Sequence, residues 1–262
     1  MLDEIMKTSP YLKYAKNIFS QNGDDGIIEK LFSELGISSG VICEFGSWDG
    51  IFCSNTCNLT SSGNYQTIMI ESDSRKYTES KTTFLGKVDC EIYNLKVEIE
   101  GENTLDNIFS KSQYNLNDDN FSLISIDIDS CDGLVWESLN NYRPKVVVLE
   151  TATGSDIKEE RNTTNKGVSV FSANEISKRK NYTLVCHTGN AFFVRNDLVS
   201  KLSHSNLTFE DVAVVDTVVE ELQKVRQTFP SEYNDHYYLS SDYNVNREKL
   251  FSTLTEVSKN VS

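Results

Sequence analysis

The stretch Val41 to Gly50, VICEFGSWDG, constrains this chain more than any other. An apolar run leads into an acid, Glu44, and then into a turn holding Gly46, Ser47, Asp49 and Gly50. A buried parallel strand that ends in an acid and a glycine turn, with a helix to follow, is how α/β folds shape a nucleotide crevice. The glycines are expected to let the backbone approach a ligand closely, with no Cβ in the way. A second apolar run, Thr67 to Ile70, ends in Glu71, an acid placed to accept hydrogen bonds from both hydroxyls of a ribose. The two strand-end acids together point to an adenosyl group.

Alternating periodicities extend this beginning into a whole fold. Helices are expected at Asp24 to Leu35 with Gly36 as stop, Phe52 to Ser61 with Gly63 beyond it, Arg75 to Phe84, Asn103 to Ser110, and through Val135, Trp136 and Leu139. Another is expected at Ser172 to Lys180, with Ser172 as N-cap. Strands are expected at Val41 to Phe45, Thr67 to Ile70, Cys90 to Leu95, Phe121 to Ile128 and Lys145 to Leu149. Tyr182 to Cys186 and Ala191 to Val194 lie close enough to finish the sheet as an antiparallel pair. The fold class is α/β: a doubly wound, Rossmann-like, mostly parallel sheet with an antiparallel strand near the C-terminus and a helical C-terminal extension. The expected division is an N-terminal segment over 1–19, a domain over 20–200 and the extension over 201–262. In the extension, Asp211 to Val225 and Lys249 to Val257 read as helices flanking a tyrosine-rich stretch. That piece could serve as a lid, an acceptor pocket, a dimer surface or packing.

A chain of 262 residues can bury an ample core, and its net charge of −14 argues against nucleic acid as a partner. The longest basic cluster, Lys178-Arg179-Lys180, falls at an expected helix end, where cations complement the dipole. Six cysteines (Cys43, Cys53, Cys57, Cys90, Cys131 and Cys186) show no framework spacing, and no zinc site is expected. With no leader-like N-terminus and no run long enough to span a bilayer, the expectation is a reduced cytoplasmic protein.

The turn also selects among adenosyl ligands. A dinucleotide site prefers G-x-G-x-x-G, but Trp48 occupies the second glycine's place and Asp49 adds a negative charge beside it. No lysine follows to make a phosphate-binding loop. Acids here repel phosphates and suit a sulfonium and an α-ammonium group, which favours S-adenosyl-L-methionine over NAD or ATP.

Acids at the next two strand ends supply chemistry. Asp127 and Asp129 close one strand and Glu150 the other, a hard oxygen cluster suited to a divalent cation such as Mg2+ or Mn2+. Asp127 is a catalytic candidate, as base, metal ligand or both, and Asp132 reads as a helix cap. His187, after the strand Tyr182 to Cys186, is either a general base or a hydrogen-bonded histidine at a hairpin bend.

Taken in order, Ser20-Gln21-Asn22-Gly23-Asp24-Asp25, the E44-to-G50 turn, Ser54-Asn55-Thr56, Glu71, the block Ser125 to Gly133, Val146 to Glu150 and Gly189 to Arg195 resemble the FkbM-type class I methyltransferases. The resemblance runs from about Phe19 to about Leu198. It implies a methyltransferase using S-adenosyl-L-methionine, with Glu44, Gly46, Asp49 and Gly50 at the methionyl end of the cofactor and Glu71 on the ribose. Ser20, Gln21, Asn55 and Thr56 would close over the methionine portion. It further implies O-methylation of a sugar, nucleotide-activated or polysaccharide-bound, in surface-glycan or capsular polysaccharide synthesis, by a chain that could be a homodimer. Trp48 departs from the common turn and could lie over the cofactor or enter the sheet. The alternatives are a methyltransferase for a non-sugar small molecule, a non-catalytic Rossmann-like binding module and, disfavoured by Trp48 and Asp49, an NAD enzyme.

Overall fold

The computed structural model describes residues 10–86, 88–152 and 156–214. Seven strands form one sheet: β1 (Gly40–Phe45), β2 (Tyr65–Glu71), β3 (Cys90–Asn94), β4 (Phe121–Ile126), β5 (Val146–Glu150), β6 (Tyr182–His187) and β7 (Asn190–Arg195). Their order is β3-β2-β1-β4-β5-β7-β6. The first five run parallel, and β7 is antiparallel to both β5 and β6. The fold is therefore α/β, Rossmann-like and doubly wound. The order reverses between β1 and β4, and a crevice opens at such a point beyond the carboxyl ends of the strands.

The central strands are apolar nearly throughout because both faces are covered. Val41, Cys43, Phe45, Ile124, Ile126, Val147 and Leu149 face one core, which α4 (Leu105–Ser110), α5 (Asp132–Ser138) and α6 (Val170–Arg179) complete with Phe109, Trp136 and Ile176. Fully buried Trp136 meets Phe193 at 4.8 Å between ring centroids and Tyr182 edge-on at 5.8 Å. Ile42, Leu123, Val146 and Val148 face the other core, covered by Ile27, Ile28, Leu31, Phe32 and Leu35 of α1 (Asp24–Leu35). Gly36 stops α1 in the left-handed conformation, φ 69°, as expected. Tyr11, Leu12, Leu202 and Val214 also enter this second core, so it draws on residues either side of 20–200.

Besides shifts of a residue or two at the ends of other elements, three differences from the sequence expectation have a visible cause. The helix expected over 52–61 forms only as α2 (Cys57–Ser61), because Asp49 and Glu44 claim the backbone amides of residues 51, 52 and 55 and Cys53 sits at φ 56°. The helix α6 starts at Val170 and is capped by Ser169 rather than Ser172: the Ser169 hydroxyl accepts the Ser172 amide at 3.2 Å. The helix expected from Asp211 appears as α7 (Phe209–Val212), closed by a capping box between Thr208 and Asp211, and it ends at Ala213. The rest of that expected helix, the one at 249–257 and the tyrosine-rich stretch lie outside the described residues. The helix α3 (Ser74–Phe84) matches its expectation. No helix among the described residues is long and apolar enough to cross a membrane.

Candidate functional site at the carboxyl edge of the sheet

Glu44, Glu71, Asp127 and Glu150 sit at or just beyond the carboxyl ends of β1, β2, β4 and β5, so parallel pairing alone brings them to one edge. Glu44 is buried and directs its carboxylate at the segment after the turn. It accepts the Ser54 hydroxyl at 2.5 Å and the Thr56 hydroxyl at 2.7 Å on one oxygen, and the Asn55 amide at 2.8 Å on the other. Burial pushes its pKa up while these three bonds pull it down. Glu44 therefore fastens residues 54–56 to the strand end, and acts on the crevice through them. The Asn55 side chain donates in turn to Ser125 on β4 at 3.1 Å.

The turn itself owes its glycines to packing. Gly46 lies at φ 73°, and a Cβ there would stand 1.5 Å from the Asp127 carbonyl oxygen. At Gly50 a Cβ would meet the Phe84 ring at 2.6 Å. The ligand approach expected of these glycines is thus not needed to account for them. Asp49, buried, accepts the amides of Ile51 and Phe52 at 3.0 and 2.8 Å and holds the turn's shape. Trp48 stands outward at 43% exposure with the Lys76 ammonium 4.7 Å from its ring centroid, so it does not enter the sheet. The amide of Trp48 donates to one oxygen of Glu71 at 2.8 Å, and the amide of Asp73 to the other at 2.7 Å. With the Ser72 hydroxyl at 3.4 Å, three donors leave the carboxylate part of its acceptor capacity for a ribose.

Residues 17–25 form the rim. Ser20 is buried, and its hydroxyl donates to Asp25 at 2.8 Å. Gln21, half-buried, accepts the Asn17 side-chain amide on its carbonyl at 2.9 Å. Asp24 and Asp25, which open α1, are buried completely or nearly so, and neither was singled out from the sequence as a site residue. The signal for them there is an acid pair directly after a glycine, at the end of the Ser20-to-Asp25 block. Asp24 accepts the Thr188 hydroxyl at 2.7 Å and the Asn190 amide at 3.4 Å, tying the rim to β7 next to Glu150. Burial pushes Asp24 up to about 6. Among the described residues, no lysine or arginine forms an ion pair with Asp24, Asp25, Glu44 or Asp49.

Asp127, Asp129 and Glu150 do come together, with a carboxylate oxygen from each within 4.8 Å of the others. Asp129 is exposed and left-handed at φ 58°, a conformation aspartate tolerates better than most residues. Asp127 is driven well above the usual carboxylate range by burial and by the charges of Glu150, Asp132 and Asp129. Glu150 is pushed to about 7 by burial and then by Asp132 and Asp129. Asp132 braces the preceding turn, accepting the amides of Ile128 at 2.7 Å and Ser130 at 3.1 Å, while Cys131 occupies the N-cap position.

His187 is fully buried. Its Nδ1 accepts the Val214 amide at 3.0 Å and its Nε2 meets the Thr151 hydroxyl at 2.9 Å. Since Thr151 also donates to the Gly189 carbonyl at 2.7 Å, Nε2 carries the proton and the ring is neutral. Both nitrogens are used, which fits the hairpin alternative rather than a general base.

No family model and no curated protein matches the chain significantly. Among solved structures it is similar to TrmK of M. capricolum in complex with S-adenosyl-homocysteine, at 11% identity over 88% of this chain and 96% of that one, TM-score 0.41. It is also similar to a SAM-dependent methyltransferase from Aquifex aeolicus, at 16% identity, 73% and 95% coverage, TM-score 0.39. A third is the glycopeptide N-methyltransferase MtfA complexed with sinefungin, at 10% identity, 74% and 96% coverage, TM-score 0.38. Likeness at this level says nothing of this chain's ligand or reaction.

Proposed function

We propose that this chain is an S-adenosyl-L-methionine-dependent O-methyltransferase whose acceptor is a sugar hydroxyl, nucleotide-activated or polysaccharide-bound. One observation carries the reading. The sheet edge at the reversal of strand order gathers buried carboxylates that have no cationic partner among the described residues. A donor with two cationic centres, sulfonium and ammonium, against one carboxylate relieves that charge, whereas a pyrophosphate adds to it. Glu71 takes the ribose hydroxyls; Ser20, Gln21, Asn55 and Thr56 surround the methionine portion; and Glu44, Gly46, Asp49 and Gly50 hold the turn against it.

Methyl transfer breaks the bond from sulfur to methyl, forms the bond from acceptor oxygen to methyl, and releases the hydroxyl proton. A hydroxyl is a weak nucleophile at neutral pH, so that proton needs a taker. The pair of Asp127 and Glu150, raised by burial and by the acids around them, suits the role as a unit. The same oxygens with Asp129 fit a hard divalent cation, Mg2+ or Mn2+, which when bound would lower the acceptor's own pKa. A reducing, cytoplasmic setting is part of the proposal, and in it six cysteines without framework spacing stay thiols.

The test is methyl transfer from labelled S-adenosyl-L-methionine to a panel of nucleotide sugars and oligosaccharides beside amines and thiols. Label appearing on a sugar oxygen is the expected result. Label found only on amines or thiols overturns the acceptor.

A further inference from the structure

Asp25 is 2% exposed, and its two oxygens are treated very differently. One oxygen accepts the amides of Ile18, Phe19 and Ser20 at 2.7, 2.8 and 2.8 Å, and the Ser20 hydroxyl at 2.8 Å. The other oxygen, Oδ1, is buried and has no hydrogen-bond partner. Four donors on one oxygen favour the ionised carboxylate, against burial, which pushes the Asp25 pKa up. A proton on Oδ1 would itself lack an acceptor, so protonation does not resolve the deficit. A buried anionic oxygen facing nothing is rare and costly in a folded protein.

Asn55 holds a second orphan. Asn55, 3% exposed, uses its backbone amide on Glu44 and its side-chain amide on Ser125, yet its Oδ1 is buried without a partner. Both orphans belong to the surroundings of Glu44, since the charge of Asp25 is among those that raise Glu44. Glu44 has already committed both of its oxygens to residues 54–56. Two unmet acceptors, one of them charged, ask for a cation bearing several N–H donors. A primary ammonium is that group; a metal cation is a poorer fit where one of the two donors is a lone amide oxygen.

We propose that Asp25 Oδ1, with Asn55 Oδ1 as second acceptor, receives the α-ammonium group of the methyl donor. This rests on the S-adenosyl-L-methionine reading above and adds a residue to it. The wrap of residues 18–20 around the opposite oxygen of Asp25 then has a purpose: it holds Oδ1 in place before the ligand arrives.

Calorimetric titration of the full chain distinguishes the two claims. The ligands are S-adenosylhomocysteine, its analogue lacking the α-amino group, and 5′-methylthioadenosine. The wild type should bind S-adenosylhomocysteine about 10- to 100-fold more tightly than the desamino analogue, the range of a hydrogen-bonded charge. Asp25→Asn should lose a similar factor for S-adenosylhomocysteine and stay within about threefold for the desamino analogue. Equal wild-type affinity for the first two ligands overturns this inference and leaves the donor reading standing; that comparison needs no variant to fold. Equal losses for both ligands in Asp25→Asn also overturn it. A wild type that binds none of the three overturns the donor reading and this inference with it.

Discussion

Asp24→Asn offers a perturbation whose size follows from the structure. The Asp24 carboxyl is fully buried, with the Thr188 hydroxyl on one oxygen and the Asn22 amide (3.2 Å) and Asn190 amide on the other. Burial is the largest cause moving its pKa from 3.8 to about 6, and the neighbouring charge of Asp25 adds to it. The folded state therefore holds a proton that the unfolded state releases, and stability falls as pH rises from the unfolded pKa to the folded one, then levels off. A rise of about two units costs about 3 kcal/mol at pH 7 relative to pH 3.5. The amide in Asp24→Asn can still accept from Thr188 but carries no charge to bury. Urea unfolding of both proteins across pH 3.5 to 7 gives the difference curve. The wild type should lose about 3 kcal/mol relative to the variant over that window, with no further change above about pH 7. Parallel stability curves, or a wild type that gains on the variant as pH rises, would refute the reasoning.

Two further outcomes follow from the site. Gly46→Ala combines a left-handed φ with a Cβ 1.5 Å from a backbone oxygen, and should cost about 4 kcal/mol or more, read as a fall of roughly 10 °C in melting temperature. Gly36→Ala is left-handed too but meets nothing within 4 Å, and should cost about 1–2 kcal/mol, so similar losses at the two positions would contradict the packing account. If Asp127, Asp129 and Glu150 hold a cation, methyl transfer should drop at least about tenfold in excess EDTA and return on adding Mg2+ or Mn2+. Full activity in the chelator removes the cation from the mechanism.

The fold was legible in the sequence wherever burial imposed a period. Val146 to Glu150 could only be a strand covered on both faces, and Ile27, Ile28, Leu31, Phe32 and Leu35 could only face one way from a helix. What escaped was decided by side-chain capture of the backbone. Residues 52–56 carry an unbroken apolar and polar mix with nothing to forbid helix, yet Asp49 and Glu44 take the amides a first turn would use. Ser169 and Ser172 are both good caps by type, and only tertiary contact with residues 159–161 separates them. The strand-end acids were legible because parallel strands gather their ends, but their assignments were not. A sequence shows that Glu44 is acidic, not that its lone pairs are spent on Ser54, Asn55 and Thr56. It shows His187 beside a bend, not that the Val214 amide and Thr151 occupy both nitrogens. Asp25 carried no periodic signal at all; its interest lies in a missing partner, which only coordinates reveal.

The most direct trial of the central claim is a titration of purified protein with S-adenosylhomocysteine and, separately, with NAD+, in the wild type and in Glu71→Ala. A sheet edge whose buried carboxylates have no cationic partner among the described residues should bind the ammonium-bearing ligand, ignore the pyrophosphate-bearing one, and lose about 10- to 100-fold in affinity with the acid proposed to take the ribose hydroxyls. Binding of NAD+ together with indifference to S-adenosylhomocysteine would contradict the account at its base.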